Sequence, residues 1–190
     1  MNCLEKRILE EGVVIGDDIL KVDGFLNHRI DTVLLRQIGE DFYTLFKEKN
    51  INKILTVEAS GIAIACYTAD QFKVPVVFAK KGENRNIGKD VYTAEVFSFT
   101  KGRTYAVSVS KLYLGPDDRV LIIDDFLAEG NAVLGLKSIV EQAGGTVEGV
   151  GIAITKTFQN GEKKLLDAGL DVRSLAPIES MAGGKIVFRQ

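Results

Sequence analysis

Val120 to Ala132, VLIIDDFLAEGNA, is the stretch on which the reading of this chain turns. Four apolar residues, Val120-Leu121-Ile122-Ile123, run directly into two adjacent carboxylates, Asp124 and Asp125. A continuous, largely β-branched run of this kind predicts a strand buried on both faces of a parallel sheet. The carboxylates then fall at its C-terminal end, the edge at which open α/β sheets bind ligands. After a short loop, Gly130 precedes a helical pattern from Asn131 to Gln142. The first turn of such a helix presents unpaired backbone N–H groups, a natural seat for phosphate. Carboxylates suit ribose hydroxyls or a hydrated Mg²⁺, and the amides suit a 5′-phosphate. Together they predict a site for a sugar phosphate. The bland alternative, two acids that merely cap a helix, fits less well, because a four-residue apolar run precedes them and a glycine-bearing turn follows.

Working outward, strand and helix patterns alternate. Leu4 to Glu11 reads as a helix closed by Gly12, and Ile19 to Val22 as a short extended piece. Asp31 is placed to cap a helix running to about Lys49, with Val33, Leu34, Ile38, Phe42, Leu45 and Phe46 on its inner face. KILTVE (Lys53 to Glu58) is a strand, Ala59-Ser60-Gly61 a turn, Ile62 to Phe72 a helix and PVVFAK (Pro75 to Lys80) another strand. Strand–helix–strand repetition predicts a parallel sheet with right-handed crossovers. Lys81 to Val91 is polar and aperiodic, with the length of a mobile functional loop. Tyr92 to Thr100 and Arg103 to Ser110 alternate around Lys101-Gly102 and predict a hairpin. A strand over Val147 to Thr155, a helix over Glu162 to Ala168, and strand-like pieces at Val172 to Leu175 and Lys185 to Phe188 complete the chain.

Bulk properties narrow the function classes. At 190 residues the chain is expected to form one domain with a substantial core. A net charge of −2 and a pI near 5.6 argue against a nucleic-acid binder. Cys3 and Cys66 lack metal-ligand spacing and are read as free thiols of a reducing compartment. No apolar stretch approaches the ~20 residues of a membrane span. The segment MNCLEKRILEEG lacks the apolar core of a signal peptide. A cytoplasmic protein is expected.

The commoner nucleotide fingerprints fail. Five residues separate Gly82 from Gly88-Lys89 where a P-loop has four, and Asp90 stands where Ser or Thr is required. Gly149-Val150-Gly151 opens like a dinucleotide motif, but Ile154 takes the third glycine's place. The single His28 cannot build a multi-histidine metal site, and no G-x-S-x-G turn accompanies it. Two other positions gain interest beside the Asp-Asp loop. Ser60 and Gly61, in the turn EASGI, follow a strand and open a helix, which suits a diphosphate. Lys156 ends the strand after the Asp-Asp helix. An ammonium there would donate to an exocyclic oxygen and repel an exocyclic amine, favouring 6-oxopurines over adenine.

The Val120–Ala132 stretch resembles the phosphoribosyl diphosphate signature of type I phosphoribosyltransferases: apolar strand, two acids, small-residue loop. LKVDGFLNHRID (Leu20 to Asp31), EASGI, VLIIDDFLAEGNA and ITKTFQNG (Ile154 to Gly161) follow, in order, the layout of the bacterial xanthine-using branch of that family, so the resemblance spans nearly the whole chain. It implies the type I α/β fold: a central, mostly parallel sheet flanked by helices, with a small hood from about residues 1–30 and 157–190 and a flexible hairpin loop. It implies a homodimeric purine-salvage enzyme that converts xanthine and 5-phospho-α-D-ribose 1-diphosphate (PRPP) to xanthosine 5′-monophosphate and diphosphate. Carried over by position, Asp124 and Asp125 are the catalytic pair. Ala128, Glu129, Gly130, Asn131 and Ala132 hold the 5′-phosphate, Ser60 and Gly61 lie at the diphosphate, and Leu20, Asn27 and Lys156 contact the base. Mg²⁺ is expected to be held mainly through substrate oxygens and water, with no dedicated protein ligands.

The loop departs from the commoner family pattern Thr-Gly-Gly-Thr: here it is Glu129-Gly130-Asn131-Ala132. Two hydroxyl donors are absent, so backbone amides and Asn131 must supply more of the phosphate contacts. Glu129 must point away from the phosphate or pair with a cation. Lys80, Lys81 and Lys89 are expected to bring positive charge to the diphosphate, with the Lys81–Val91 loop and the hairpin closing over the site. Alternatives within the family are a hypoxanthine/guanine or adenine phosphoribosyltransferase. A different class is a PRPP-sensing regulator without catalysis, which would be expected to carry a basic footprint that this chain lacks.

Overall fold

A computed structural model describes residues 1–82, 90–98 and 102–189. Its centre is β7 (Arg119–Leu127), parallel to β3 (Lys53–Val57) on one side and to β8 (Thr146–Lys156) on the other. Beyond these lie β4 (Val76–Lys81) and β9 (Val172–Ser180), both also parallel to their neighbours. Antiparallel strands finish both edges. The hairpin β5 (Val91–Ser98)/β6 (Arg103–Ser110) joins β4 through Lys80↔Ser108 and Lys81↔Val107, and β10 (Val187–Phe188) joins β9. The eight-stranded order is β10-β9-β8-β7-β3-β4-β6-β5.

The apolar run of β7 serves two cores, as its unbroken hydrophobicity requires. Leu121 and Ile123 face a cluster built by α1 (Cys3–Glu11), α2 (Thr32–Phe46) and α3 (Ser60–Phe72), with Phe25, Phe42 and Phe46 fully buried in it. Val120 and Ile122 face the opposite cluster, with Val133, Leu136 and Ile139 of α4 (Asn131–Gln142) and Leu165 of α5 (Gly161–Asp167). Burying side chains of this size is worth about 1.5–3 kcal/mol each relative to leaving them in water. Val96 and Val107 of the hairpin belong to this second core, so the hairpin is packed against α4.

Asp31 caps α2 as expected, its Oδ1 accepting from the N–H groups of Val33 and Leu34 at 3.1 Å each. The helix ends at Phe46, short of Lys49. Leu34, Ile38, Phe42 and Phe46 are buried, but Val33 is 78% exposed. Its place next to Leu34 turns it about 100° off the buried stripe, and Leu35 fills the core instead. The first helix carries a capping box that the apolar pattern alone does not reveal: Asn2 Oδ1 accepts from Glu5 N–H, and Glu5 accepts from Asn2 N–H, both at 2.9 Å. Strand β9 runs on to Ser180, past the expected end at Leu175. Pro177 sits in register with Thr155 of β8.

The two chain ends meet at one end of the sheet. A small hairpin, β1 (Val13–Ile15) and β2 (Ile19–Lys21), precedes a π-helical turn at Asp23–Asn27 that buries Phe25 and Leu26. Asp17 Oδ1 in the hairpin loop accepts from Gly183 N–H at 3.1 Å, and the Asn2 carboxamide donates to Leu175 O at 2.6 Å. Among the described residues no helix is long and apolar enough to cross a membrane. Residues 83–89, with Lys89 and most of the expected closing loop, and 99–101, with Lys101 of the expected turn, lie outside the described residues.

Candidate active site

Strand β7 does not stop at its apolar run. It continues through both acids to Leu127, with Asp124↔Ile152 and Phe126↔Ile154 in register with the longer β8. The two carboxylates are therefore held inside the last turns of pleat and are buried, at 6% and 8% exposure. Asp124 Oδ1 accepts from Asp125 N–H at 3.0 Å, and Asp125 Oδ2 accepts from the Asn27 carboxamide at 3.3 Å. Asn27, expected at the base, thus comes from the N-terminal turn straight to the acidic pair. Burial, and then the Asp125 carboxylate beside it, hold the Asp124 carboxyl well above the usual carboxylate range. The Asp125 N–H and the Lys81 ammonium oppose that shift.

The EASGI turn reaches the same acids. A Cβ on Gly61 would overlap the Thr56 hydroxyl and lie 3.1 Å from Asp124 Oδ1, so only glycine lets the start of α3 approach this closely. Ser60 and Gly61 begin that helix, and the Glu58–Ala59 peptide before them is cis. Glu58 Oε1 accepts from Lys81 N–H at 2.6 Å and ties the turn to the end of β4.

The Ala128–Ala132 loop leaves β7 and enters α4 through Gly130, whose φ of +79° is a left-handed conformation natural to glycine. Gly130, as N-cap, has no side chain to accept the free N–H groups of the first turn, so a ligand can take them. Ala128, Glu129, Asn131 and Ala132 are half-buried around them. The Asn131 carboxamide donates to Phe97 O of the hairpin at 3.0 Å, so its Nδ2 is engaged with β5. Glu129 Oε2 lies 2.7 Å from Lys164 Nζ on α5, which answers the sequence's demand for a cation.

Lys156, at the end of β8, donates to Asp18 O in the N-terminal hairpin loop, and its Nζ stands 6.0 Å from the Phe126 ring centroid. Burial draws its ammonium below the usual lysine range, against the pull of Asp18. Leu20 is buried in β2 on the same N-terminal hairpin, with its Cδ1 close to Gly12. The sequence pairs Lys80 with Lys81 as diphosphate cations, but successive strand residues point to opposite faces. Lys81 is the one whose charge reaches Asp124. Lys80 lines a separate groove of about 710 Å³ with Phe78, Leu112 and Tyr113.

Two residues enter the site without a signal in the sequence. Tyr105 of β6 lies under the Lys81 ammonium, 5.6 Å from ring centroid to Nζ, with its hydroxyl pushed up by burial and by the Asp124 charge. Only the β4/β6 register brings it there. Lys164 meets Glu129 across 35 residues of chain. Phe126 could have been found, since it follows the acids directly. Among the described residues, no group of three or more His, Cys, Asp or Glu side chains is placed to hold a metal ion. His28 is exposed just after the π-helical turn, and both cysteines are free.

Buried paired acids thus stand at the sheet's C-terminal edge between the N-termini of α3 and α4. Residues 31–188 match the profile of the phosphoribosyl transferase domain. The chain belongs to the phosphoribosyl transferase family. Its fold is the type I fold of that family. The chain is 57% identical to a xanthine phosphoribosyltransferase of Ruminiclostridium cellulolyticum over 190 residues, covering all of both chains. It is also 57% identical to one of Clostridium novyi over 189 residues, again covering all of both. Among solved phosphoribosyltransferases, the Giardia lamblia adenine enzyme complexed with 9-deazaadenine superposes with a TM-score of 0.77. That match covers 92% of this chain and 97% of the Giardia chain at 19% identity, a likeness of fold.

Proposed function

We propose that the chain transfers the 5-phosphoribosyl group of PRPP to xanthine, forming xanthosine 5′-monophosphate and diphosphate in cytoplasmic purine salvage. The observation that carries this reading is end-to-end likeness to xanthine phosphoribosyltransferases in a chain whose paired acids, phosphate-loop helix and strand-end lysine converge on one sheet edge. The whole chain, 1–190, works as one domain, with the hood drawn from about residues 1–30 and 157–190. The Asp17–Gly183 contact supports that division, since it links the N-terminal segment to the C-terminal one.

In the reaction the C1–oxygen bond of the sugar breaks with its electron pair leaving on diphosphate. A purine ring nitrogen forms the new bond to C1 and releases its proton to water. Positive charge grows on the ribose ring, so catalysis rests on positioning and charge stabilisation. Asp124 and Asp125 hold the ribose hydroxyls below that charge. The N–H groups of Ala128 to Ala132 hold the 5′-phosphate, and Ser60 and Gly61 receive the diphosphate with Lys81 beside them. Two adjacent buried carboxylates fit a hydrated Mg²⁺ carried in by the substrate. When bound, Mg²⁺ neutralises the departing diphosphate. Leu20, Asn27 and Lys156 contact the base, and the Phe126 ring lies beside the Lys156 ammonium. Lys156 donates only, so it suits an exocyclic oxygen, which accepts, and rejects the amine of adenine.

A homodimer is part of this reading. Phe78, Leu112 and Tyr113 are 38%, 83% and 62% exposed around the β4/β6 groove, an apolar face that a second copy would cover. The test of the activity is initial rates with PRPP, Mg²⁺ and xanthine, guanine, hypoxanthine or adenine. The reading expects the highest kcat/KM with xanthine. A preference for adenine, or no purine-dependent release of diphosphate, contradicts it.

A further inference from the structure

A carboxylate in a phosphate-binding loop repels its own ligand unless something cancels it, and Glu129 is such a carboxylate. The fold meets it with the first turn of α5. Gly161 N–H donates to Ala128 O at 3.0 Å. A side chain at Gly161 would overlap the Ala128 carbonyl and crowd Gly130 N at 3.0 Å, so the helix sits directly against the loop. One turn further, Lys164 Nζ lies 2.7 Å from Glu129 Oε2 and 3.3 Å from Glu129 O. A single ammonium thereby grips the side chain and the peptide of the same residue. Carbonyl and N–H point in opposite directions across a trans peptide, so turning Glu129 O toward Lys164 turns Gly130 N–H the other way. Helix α5 is itself held by a bidentate pair, Arg189 to both Glu162 carboxylate oxygens at 2.7 Å each. Glu129 and Lys164 are 25% and 39% exposed, so the pair adds little to global stability and its effect is local to the loop.

We propose that Lys164 is a positioning residue for the sugar phosphate: it neutralises Glu129 and fixes the Glu129–Gly130 peptide so that the loop accepts a dianion. This rests on the placing of the 5′-phosphate in the Ala128–Ala132 loop. Lys164→Met keeps the stem and removes the charge. With Glu129 uncancelled near a phosphate, the Kd for ribose 5-phosphate by calorimetry and the KM for PRPP are expected to rise about tenfold. The value of kcat at saturating PRPP and the KM for xanthine should stay within about twofold. The double variant Glu129→Gln/Lys164→Met should recover most of the lost affinity, because there is no longer a charge to cancel. A purely structural role would instead lower the melting temperature of both variants with no recovery in the double. If the methionine variant does not fold, Lys164→Gln, which keeps a donor for Glu129 O, carries the same expectation. Unchanged ribose 5-phosphate affinity in the charge-removed variant, or a double variant no better than the single, overturns the inference alone. A wild-type protein that binds no ribose 5-phosphate overturns the proposed function and this inference with it.

Discussion

Asp124 is costly to the fold that carries it. Its carboxyl is buried beside a second carboxylate, and both causes disfavour the ionised form, leaving its proton bound well above the ordinary 3.8. Between that ordinary value and the raised one, the native state holds a proton that the unfolded chain has released. Stability from this group is thus present at low pH and is lost as pH rises through that window. Asp124→Asn keeps an acceptor for Asp125 N–H and removes the charge, so at neutral pH its melting temperature should rise, by about 2–4 °C per kcal/mol relieved in a chain of this size. Turnover should fall by about 100-fold or more, as when other preorganised charge-stabilising groups are lost. Scanning calorimetry and steady-state rates on one preparation check both. A variant that keeps near-wild-type turnover contradicts the role given to the acid. At Lys156 the expectation is narrower: Lys156→Ala should raise the KM for xanthine by about 10- to 100-fold, the worth of a hydrogen bond to a charged group. The KM for PRPP should move by less than about twofold, and an unchanged xanthine KM would remove Lys156 from base recognition.

Among the elements, β7 and α4 were legible from the sequence because their signals are local. A β-branched run, a glycine turn and a 3.6-residue stripe need no partner to be seen, and α4 spans Asn131–Gln142 as the pattern predicts. What escaped was set by partners. Strand β7 outlasts its apolar run because β8 continues to pair with it, and β9 passes Pro177 because β8 holds it in register. Tyr105 and Lys164 reach the site only through the register of β6 and the docking of α5. Gly61 shows the same dependence. EASGI reads as a turn, but the close approach of α3 to Thr56 and Asp124 requires the packed structure. Gly61→Ala should therefore cost about 1–3 kcal/mol, as overpacked sites do, with a fall in kcat as Asp124 is displaced. Urea unfolding compared with wild type measures the first effect, and no loss of stability would mean that the turn yields.

For the whole molecule, the sheet order places the acid pair in the middle, with contacts from the N-terminal turn on one side and the hairpin on the other. Asn27 reaches Asp125 from the N-terminal turn, and Asn131 ties the start of α4 to β5, so each side of the candidate site is braced by a segment distant in sequence. Leu112→Asp places a charge on the exposed apolar face and should shift sedimentation from dimer toward monomer, while a dimer of unchanged affinity would move the interface elsewhere. In the proposed reaction the acid pair grips the ribose while the Ala128–Ala132 amides cup its phosphate. A crystal structure with ribose 5-phosphate bound tests it most directly. The expected result is hydroxyls within hydrogen-bonding distance of Asp124 and Asp125 and the phosphate on the first turn of α4; a sugar phosphate lodged elsewhere, with both acids bare, would contradict it.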